Sequence, residues 1–395
     1  MNSSQIPHFD YIFTGTGLAS LMTVYKMILS GKFADKSILL LDKDAKKTND
    51  RTWCFWEEDE SVWNPIISKK WNSALFINEK FNRSLAIKPY SYNKISGLDF
   101  YDFVFAEISK HQNVTFSNEK VTDINELETH VFVGTEENRY TCTYLFNSIY
   151  TRAFAERQNK YPVLQQHFVG WFVKTEREIF NPEEVTFMDF SVEQKGNTRF
   201  MYVLPISQTE ALVEYTLFSE KILQKEEYEN EIELYLKKLG AENYEILEKE
   251  EGSIPMSCYP FWEKNTKRVL NIGTAGGWTK ASTGYTFKNS DKKSSELVEF
   301  IKNISPAVSK PLNMATFHKK SRFWFYDLLL LDILYRNNEL GSSVFSSLFK
   351  KGNPKLIFKF LDEETTFFED VKVILKCPKL PFIKALFRVI FLSKI

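Results

Sequence analysis

The stretch that most constrains how this chain can fold lies near its start. An apolar run at 11–13 passes into Gly15-Thr16-Gly17-Leu18-Ala19-Ser20 and then into a helical pattern ending near Ser30. A second apolar run, 37–41, stops at Asp42. Strand, glycine loop, helix, strand and acidic residue, in that order, build the unit that holds the ADP half of a dinucleotide at the edge of a parallel sheet. The glycines let the backbone approach a pyrophosphate, and the helix N-terminus offers amide donors and a positive dipole. Asp42 then stands where it would hold ribose hydroxyls. Ser20 occupies the third glycine position and is small enough for close helix packing.

A second glycine cluster comes late, in RVLNIGTAGGWTKASTGYTF. A short strand at 269–272 precedes Gly273, Gly276, Gly277 and Gly284, which allow backbone to pass close to a ligand. Two such loops at opposite ends of the sequence suit one dinucleotide better than two unrelated turns. Between them, 72–143 alternates short strands with a helix at 98–110. The runs 168–174, 184–191, 200–205 and 210–218 predict four strands of one antiparallel sheet. A charged helix spans 220–239, and from Leu297 onward the pattern is helical with a break at 350–354.

Within the fourth of those strands, Leu212, Glu214, Thr216 and Phe218 share one face by the period of two, and Ala211, Val213, Tyr215 and Leu217 share the other. Glu214 therefore projects among side chains that repel charge. Keeping a glutamate half protonated near neutral pH needs a shift of about 3 units, roughly 4 kcal/mol of environment. A glutamate so held can serve as a general acid. The ordinary alternative is an edge-strand glutamate in water or paired to a lysine. Asp189 is a second carboxylate of the same predicted sheet, with three roles open to it: orienting Glu214, accepting a proton, or capping a turn.

The bulk numbers exclude several classes. Lys and Arg balance Asp and Glu to a net charge of zero, so there is no global field for nucleic acid. The 4 cysteines and 5 histidines are scattered, which predicts no metal site and a reducing, cytoplasmic setting. The 35 Phe, 18 Tyr and 8 Trp point to apolar cavities or surfaces, or to a coding bias. No run reaches the roughly 18 apolar residues of a membrane span, because Asp327 and Asp332 interrupt FWFYDLLLLDILY. The last stretch, CPKLPFIKALFRVIFLSKI, carries Lys376, Lys379, Lys384, Arg388 and Lys394. It reads either as a basic amphipathic helix on a bilayer surface or as a helix docked on the protein's own core.

Four segments taken together resemble the lycopene cyclase family of carotenoid-making bacteria: DYIFTGTGLAS, NDRTWCFW at 49–56, TFMDF through LVEYTLFS at 186–219, and NIGTAGGWTKASTGYT at 271–286. The resemblance implies an α/β fold, with an FAD-binding Rossmann-type domain, an antiparallel-sheet substrate domain and a helical C-terminal region. The expected division is an FAD segment at 1–70, a mixed α/β part at 71–160 partly in the FAD domain, the substrate sheet at 161–250, a return to the FAD domain at 251–295, and helices at 296–395. It implies lycopene as substrate, cyclised to beta-rings by an FAD-dependent isomerase whose flavin is reduced, with NAD(P)H as the reductant, at the inner face of the cell membrane. Carried over position by position, Gly15, Thr16, Gly17, Leu18, Ala19 and Asp42 would bind the ADP moiety. Arg51, Thr52 and Trp53 would lie near it or near the flavin, the late glycines on the ribityl side, and Glu214 in the active site. Phe200, Tyr202 and Tyr215 are candidates to face a cationic intermediate. A monooxygenase or a geranylgeranyl-reductase-like enzyme on the same fold competes with this reading, as does a carrier of apolar ligands. Hydroxylases usually carry Gly-Asp at the late loop, whereas Gly273 is followed by Thr274.

Overall fold

The computed structural model describes residues 6–302 and 312–391. Lys394 and the first five residues lie outside the described residues. Among the described residues, two seven-stranded sheets and one of three strands carry the chain.

The first sheet forms because its central strands, His8–Thr14 and Ile38–Asp42, are buried on both faces over most of their length and need cover on each side. His8–Thr14 pairs in parallel with Ile38–Asp42 on one side and with Arg139–Asn147 on the other. Val114–Asn118 adds beyond Ile38–Asp42, also in parallel, and Val269–Asn271 runs parallel to the end of Arg139–Asn147. An antiparallel pair, Val121–Glu126 and Val131–Thr135, completes this sheet. The helix Leu18–Ser30 packs on it beside the helix Phe287–Ile301, joined by a Thr23–Ser294 hydrogen bond of 3.0 Å and a Lys26–Asp291 ion pair of 2.7 Å. Parallel pairing brings the ends of His8–Thr14 and Val269–Asn271 to the same carboxyl edge, with Asn147 between them. Thr14 Oγ1 donates to Asn147 Oδ1 at 2.9 Å, and Asn147 Nδ2 donates to Asn271 Oδ1 at 2.9 Å. The early and late glycine loops therefore leave one edge side by side, close enough that a Cβ at Gly273 would sit 3.1 Å from the Ala19 Cβ.

The second sheet contains the four expected antiparallel strands, in the order Val163–Thr175, Glu210–Ser219, Thr198–Pro205, Glu184–Asp189. The long strand Tyr244–Ser257 extends it on one side. On the other side Ser73–Asn78 and Phe81–Ala86 join it, so chain from the early mixed region crosses into this sheet. The two faces are apolar for different partners. Val213, Tyr215 and Leu217 pack under the helix Lys225–Lys238 through Tyr228, Ile232 and Leu236. Leu212 and Phe218 face inward with Phe200 and Leu204 towards the C-terminal helices.

Those helices also explain the charges that interrupt their apolar runs. Asp332 is fully buried and meets Arg336 Nε at 3.0 Å and Arg388 Nε at 2.9 Å, which clips the last helix, Lys379–Phe391, onto Arg322–Arg336. Lys280, buried in the late glycine segment, meets Asp327 at 3.2 Å and Glu363 at 3.1 Å. The run FLDEETTFF at 360–368 is a helix boundary: Pro354–Leu361 ends there and Phe367–Ile374 begins behind a Thr366–Glu369 capping box. Replacing Lys280 with Met leaves Asp327 as an uncompensated buried charge, and the expected loss of stability is about 3–5 kcal/mol in denaturant unfolding. An unchanged unfolding midpoint would show that this ion pair is not holding the segment.

Candidate active site

A cavity of about 510 Å³ opens where the carboxyl edge of the first sheet meets the inner face of the second. This volume is within the usual range for small-molecule sites. At one end lie Gly17, Leu18, Ala19, Gly273 and Thr274, and at the other Glu214, Glu250, Phe200 and Tyr202. Phe345, Leu348 and Phe349 of the helix Leu340–Lys351 form a third, apolar wall.

The glycine-loop end is built for anionic, polar groups. The helix Leu18–Ser30 opens into the cavity with no capping side chain and no acidic residue in its first turn, which leaves its leading amides free. Tyr150 Oη, Gln166 Oε1, Thr283 Oγ1 and Ser290 Oγ are buried without a protein partner, and all four residues line the cavity. Ser20 Oγ, in the first turn of the helix, is likewise unpartnered. Buried polar atoms cost free energy unless bonded. A ligand with many donors and acceptors lying in the cavity, as in a dinucleotide, matches that unmet demand.

Of the residues expected at a site, Gly17, Leu18, Ala19, Arg51, Thr52, Trp53, Gly273, Gly284 and Glu214 line the cavity. Gly15, Thr16 and Asp42 stand behind it. Gly15 has a φ of 84°, and a Cβ there would meet Ser148 Oγ at 2.4 Å. Asp42 Oδ2 accepts from the Thr16 amide at 2.6 Å and from its hydroxyl at 2.9 Å, so it clasps the loop. Gly276 and Gly277 shape the turn after Val269–Asn271 and do not reach the cavity wall. A side chain at Gly276 would run into the Asn271 carbonyl oxygen at 2.2 Å.

Two expectations need correction. Asp189 is on the far side of the sheet, where its carboxylate accepts from the Ser191 amide at 2.8 Å and from Tyr235 Oη at 2.9 Å. It caps a turn and anchors the covering helix, and it lines no part of the cavity. Tyr215 is also on that far face, its hydroxyl accepting from Arg199 at 3.2 Å, because odd positions of its strand point away from Glu214. Phe200 and Tyr202 do face the cavity.

The residue that sequence reasoning missed is Glu250. Gly170 pairs with Glu214 on one side and with Glu250 on the other, so the two carboxylates flank a glycine on one face of the sheet. A Cβ at Gly170 would lie 2.9 Å from Leu212 Cδ1, 3.3 Å from the Glu250 Cγ and 3.4 Å from the Glu214 Cβ, so the missing side chain lets these three side chains pack together. The strand carrying Glu250 holds so many charged residues that no apolar alternation betrays it. Above the pair lies the three-stranded sheet of Thr52–Glu57, Lys69–Trp71 and Ser91–Ser96. Thr52 Oγ1 donates to Glu250 Oε2 at 2.8 Å, and Lys94, buried beside Cys54, lies 5.4 Å from the Phe172 ring centroid.

The environments of the two carboxyl groups differ. Burial is the main cause holding Glu214 well above the usual carboxylate range, and the Glu250 charge adds to it; only the Thr216 hydroxyl, donating to Glu214 Oε1, works the other way. Burial raises Glu250 as well, to about 7 against about 8 for Glu214, the Thr52 hydroxyl and the Lys94 ammonium restraining the rise by favouring its ionised form. Tyr92, Tyr202 and Tyr285 around them are pushed up by burial and stay neutral, with Tyr92 and Tyr202 hydroxyls 2.7 Å apart.

A family model described as lycopene cyclase protein matches residues 10–387. The chain belongs to the lycopene cyclase family. Membership implies an enzyme of carotenoid biosynthesis with a carotenoid substrate. Two relatives are a lycopene beta-cyclase of Pantoea ananas, 24% identical over 296 residues and 71% of each chain, and one of a Paracoccus species, 24% identical over 290 residues and 70% of each. Among solved structures, a flavoprotein/dehydrogenase from Cytophaga hutchinsonii superposes with a TM-score of 0.62 at 13% identity, over 93% of this chain and 98% of that one. A geranylgeranyl bacteriochlorophyll reductase-like protein from Thermoplasma acidophilum does so with 0.58 at 10%, over 98% of each. These likenesses establish a Rossmann-type α/β fold of the kind that flavoproteins use, with a second sheet; the residues at 11–42 indicated its first part. At such identities they speak for the fold alone.

In this cyclase-family site Glu214 is expected to remain protonated at neutral pH. Its carboxyl band in the infrared spectrum should persist there in the native protein and vanish in Glu214→Gln; a native protein without that band would refute the buried-acid reading.

Proposed function

We propose that this chain is an FAD-containing lycopene beta-cyclase, converting the acyclic ends of lycopene to beta-rings and so to beta-carotene by way of gamma-carotene. The observation that carries the reading is Glu214, a carboxyl group whose charged form is disfavoured, at the aromatic end of a cavity whose other end suits a dinucleotide. An alkene is a poor base, so its protonation needs a neutral, desolvated and well-aimed acid. Glu214 would deliver that proton to the terminal double bond, and the neighbouring alkene would then close the ring on the resulting tertiary cation. Phe200 and Tyr202 present π faces to the cation, each worth about 2 kcal/mol or more when desolvated. Leu212, Phe218 and Phe345 keep water from it.

FAD would lie along Gly17, Leu18, Ala19 and Gly273, with Arg51, Thr52, Trp53 and Gly284 beside it and Asp42 towards the ribose. When bound and reduced, primed by NAD(P)H, it supplies negative charge beside the cation without net redox change. The residues themselves bind, aim and exclude water.

Lycopene reaches such a site from a bilayer. No described helix is long and apolar enough to cross a membrane, so attachment is read as peripheral, at the inner leaflet. Ala385 is buried, and with Phe382 and Val389 it holds the helix Lys379–Phe391 on the body of the protein; Ile383, Phe387 and Phe391 stay exposed. The adjoining Phe367–Ile374 exposes Phe367 and Phe368, and Lys372, Lys376, Lys379 and Lys384 surround the apolar surface. Each such cation is worth roughly 1 kcal/mol at an anionic surface. One stripe of the last helix thus docks on the protein, and the exposed stripe is the surface read here as meeting lipid.

Expression in lycopene-accumulating cells followed by pigment analysis tests the assignment. The native chain should yield cyclic carotene, and Glu214→Gln should abolish it while the purified protein stays yellow with flavin; beta-carotene from that variant would rule out the acid role. For the membrane, a variant with Phe387→Glu and Phe391→Glu should lose most of its sedimentation with phosphatidylglycerol-rich vesicles. Equal sedimentation of both proteins would remove this surface from consideration.

A further inference from the structure

Ring closure by proton addition needs a second event: a proton must leave the ring carbon beside the cation, or no double bond forms. The carboxylate first considered for this, Asp189, is on the wrong side of its strand. Glu250 is on the right side. It lines the same cavity as Glu214, two strands over, on the same face and level with it across Gly170, where the Leu212 side chain also reaches.

We infer that Glu250 is the base of the reaction, and that it returns the proton it takes to Glu214 across Gly170. The inference rests on the cyclase reading of the site and adds to it a second catalytic residue. In the forward step a C–H bond forms at the terminal alkene carbon as the Glu214 O–H bond breaks. The new carbon–carbon bond then closes the ring and moves the cation onto it. The ring C–H bond breaks, its electron pair becomes the ring double bond, and the proton passes to Glu250. Transfer from Glu250 to Glu214 restores both groups. One proton enters and one leaves, so no oxidant or reductant is consumed.

The surroundings assign the two roles. Glu214 has an apolar strand face and a single hydroxyl donor, Thr216. Glu250 has the Thr52 hydroxyl at 2.8 Å and faces the Lys94 ammonium. The other titratable groups near the pair are Cys54 and Tyr92 from the small sheet, Tyr202 and Tyr285, Glu248 and the cavity-lining Glu251 on the same strand as Glu250, the latter paired with Lys225, and the Arg51–Asp50 ion pair at the rim. Lys94 is the cation whose charge acts on Glu250, and it favours Glu250 as the ionised partner. The helix across the cavity contributes Phe345, Leu348 and Phe349, which carry no charge. Two carboxyl groups whose surroundings differ in this way divide into acid and base, and their titration belongs to the pair.

The test uses the purified, flavin-loaded protein and the variants Glu250→Gln, Glu250→Asp and Glu214→Gln. Active enzyme needs Glu250 ionised and Glu214 protonated, so kcat/KM should fall on both sides of an optimum. Glu250→Gln should retain flavin, lower kcat by about 100-fold or more with little change in KM, and lose the acid-side fall. Glu250→Asp should keep that fall and much of the rate. Removing the negative neighbour should also move the loss of the Glu214 carboxyl infrared band to lower pH, which reports on the pair without turnover. Glu250→Gln activity within twofold of native, an unchanged acid limb, or an unmoved band would each overturn the inference. Loss of activity in Glu214→Gln alone, with Glu250→Gln intact, removes the base and spares the acid; full activity in both removes the cyclase mechanism itself.

Discussion

A carboxyl group surrounded by aromatic rings has to give up its charge or be paired, because the desolvation cost of an isolated buried ion exceeds what a folded protein can tolerate. The inner face of the second sheet is arranged around that constraint. Glu214 is left with one hydroxyl donor and an anionic neighbour, which keeps it neutral, whereas Glu250 receives a hydroxyl and faces a cation. Gly170 is what permits the arrangement, since any side chain there would press on Leu212, Glu250 and Glu214 together. The acid is therefore a property of three adjacent strands rather than of one residue.

The remainder of the molecule brings a polar binding edge to that acid. Parallel pairing carries both glycine loops to one edge of the first sheet, and the Thr14–Asn147–Asn271 hydrogen bonds lock their relative position. Strands from 73–86 pass into the second sheet, while the small sheet above the carboxylates carries Thr52 and Lys94. The two sheets are thus interleaved by the chain. Lys280 continues the connection to the C-terminal helices through Asp327 and Glu363, so the loop lining the cavity is tied to the helices that close it.

Sequence patterns were informative where one local rule governs. The glycine loop and Asp42 announced the first sheet, the alternation of 210–218 correctly separated Glu214 from Tyr215, and four strands of the second sheet came within a few residues of their observed limits. They failed where a role depends on the side of a strand relative to a distant partner. Asp189 shares a sheet with Glu214 but meets Tyr235 on the opposite face. Glu250 was invisible because Tyr244–Ser257 is held in place by thirteen paired positions along Val163–Thr175 rather than by apolar alternation of its own.

By itself the sequence determined the local devices: a backbone able to approach a pyrophosphate, a strand with one glutamate on an apolar face, and a helix with lysines beside phenylalanines. Each follows from residue type and spacing within a dozen positions. Only the tertiary structure decided which carboxylate stands opposite Glu214, that both glycine loops share one edge, and which stripe of the last helix is covered. Those outcomes depend on strand register and helix docking between segments far apart in the chain, and local propensity does not encode them.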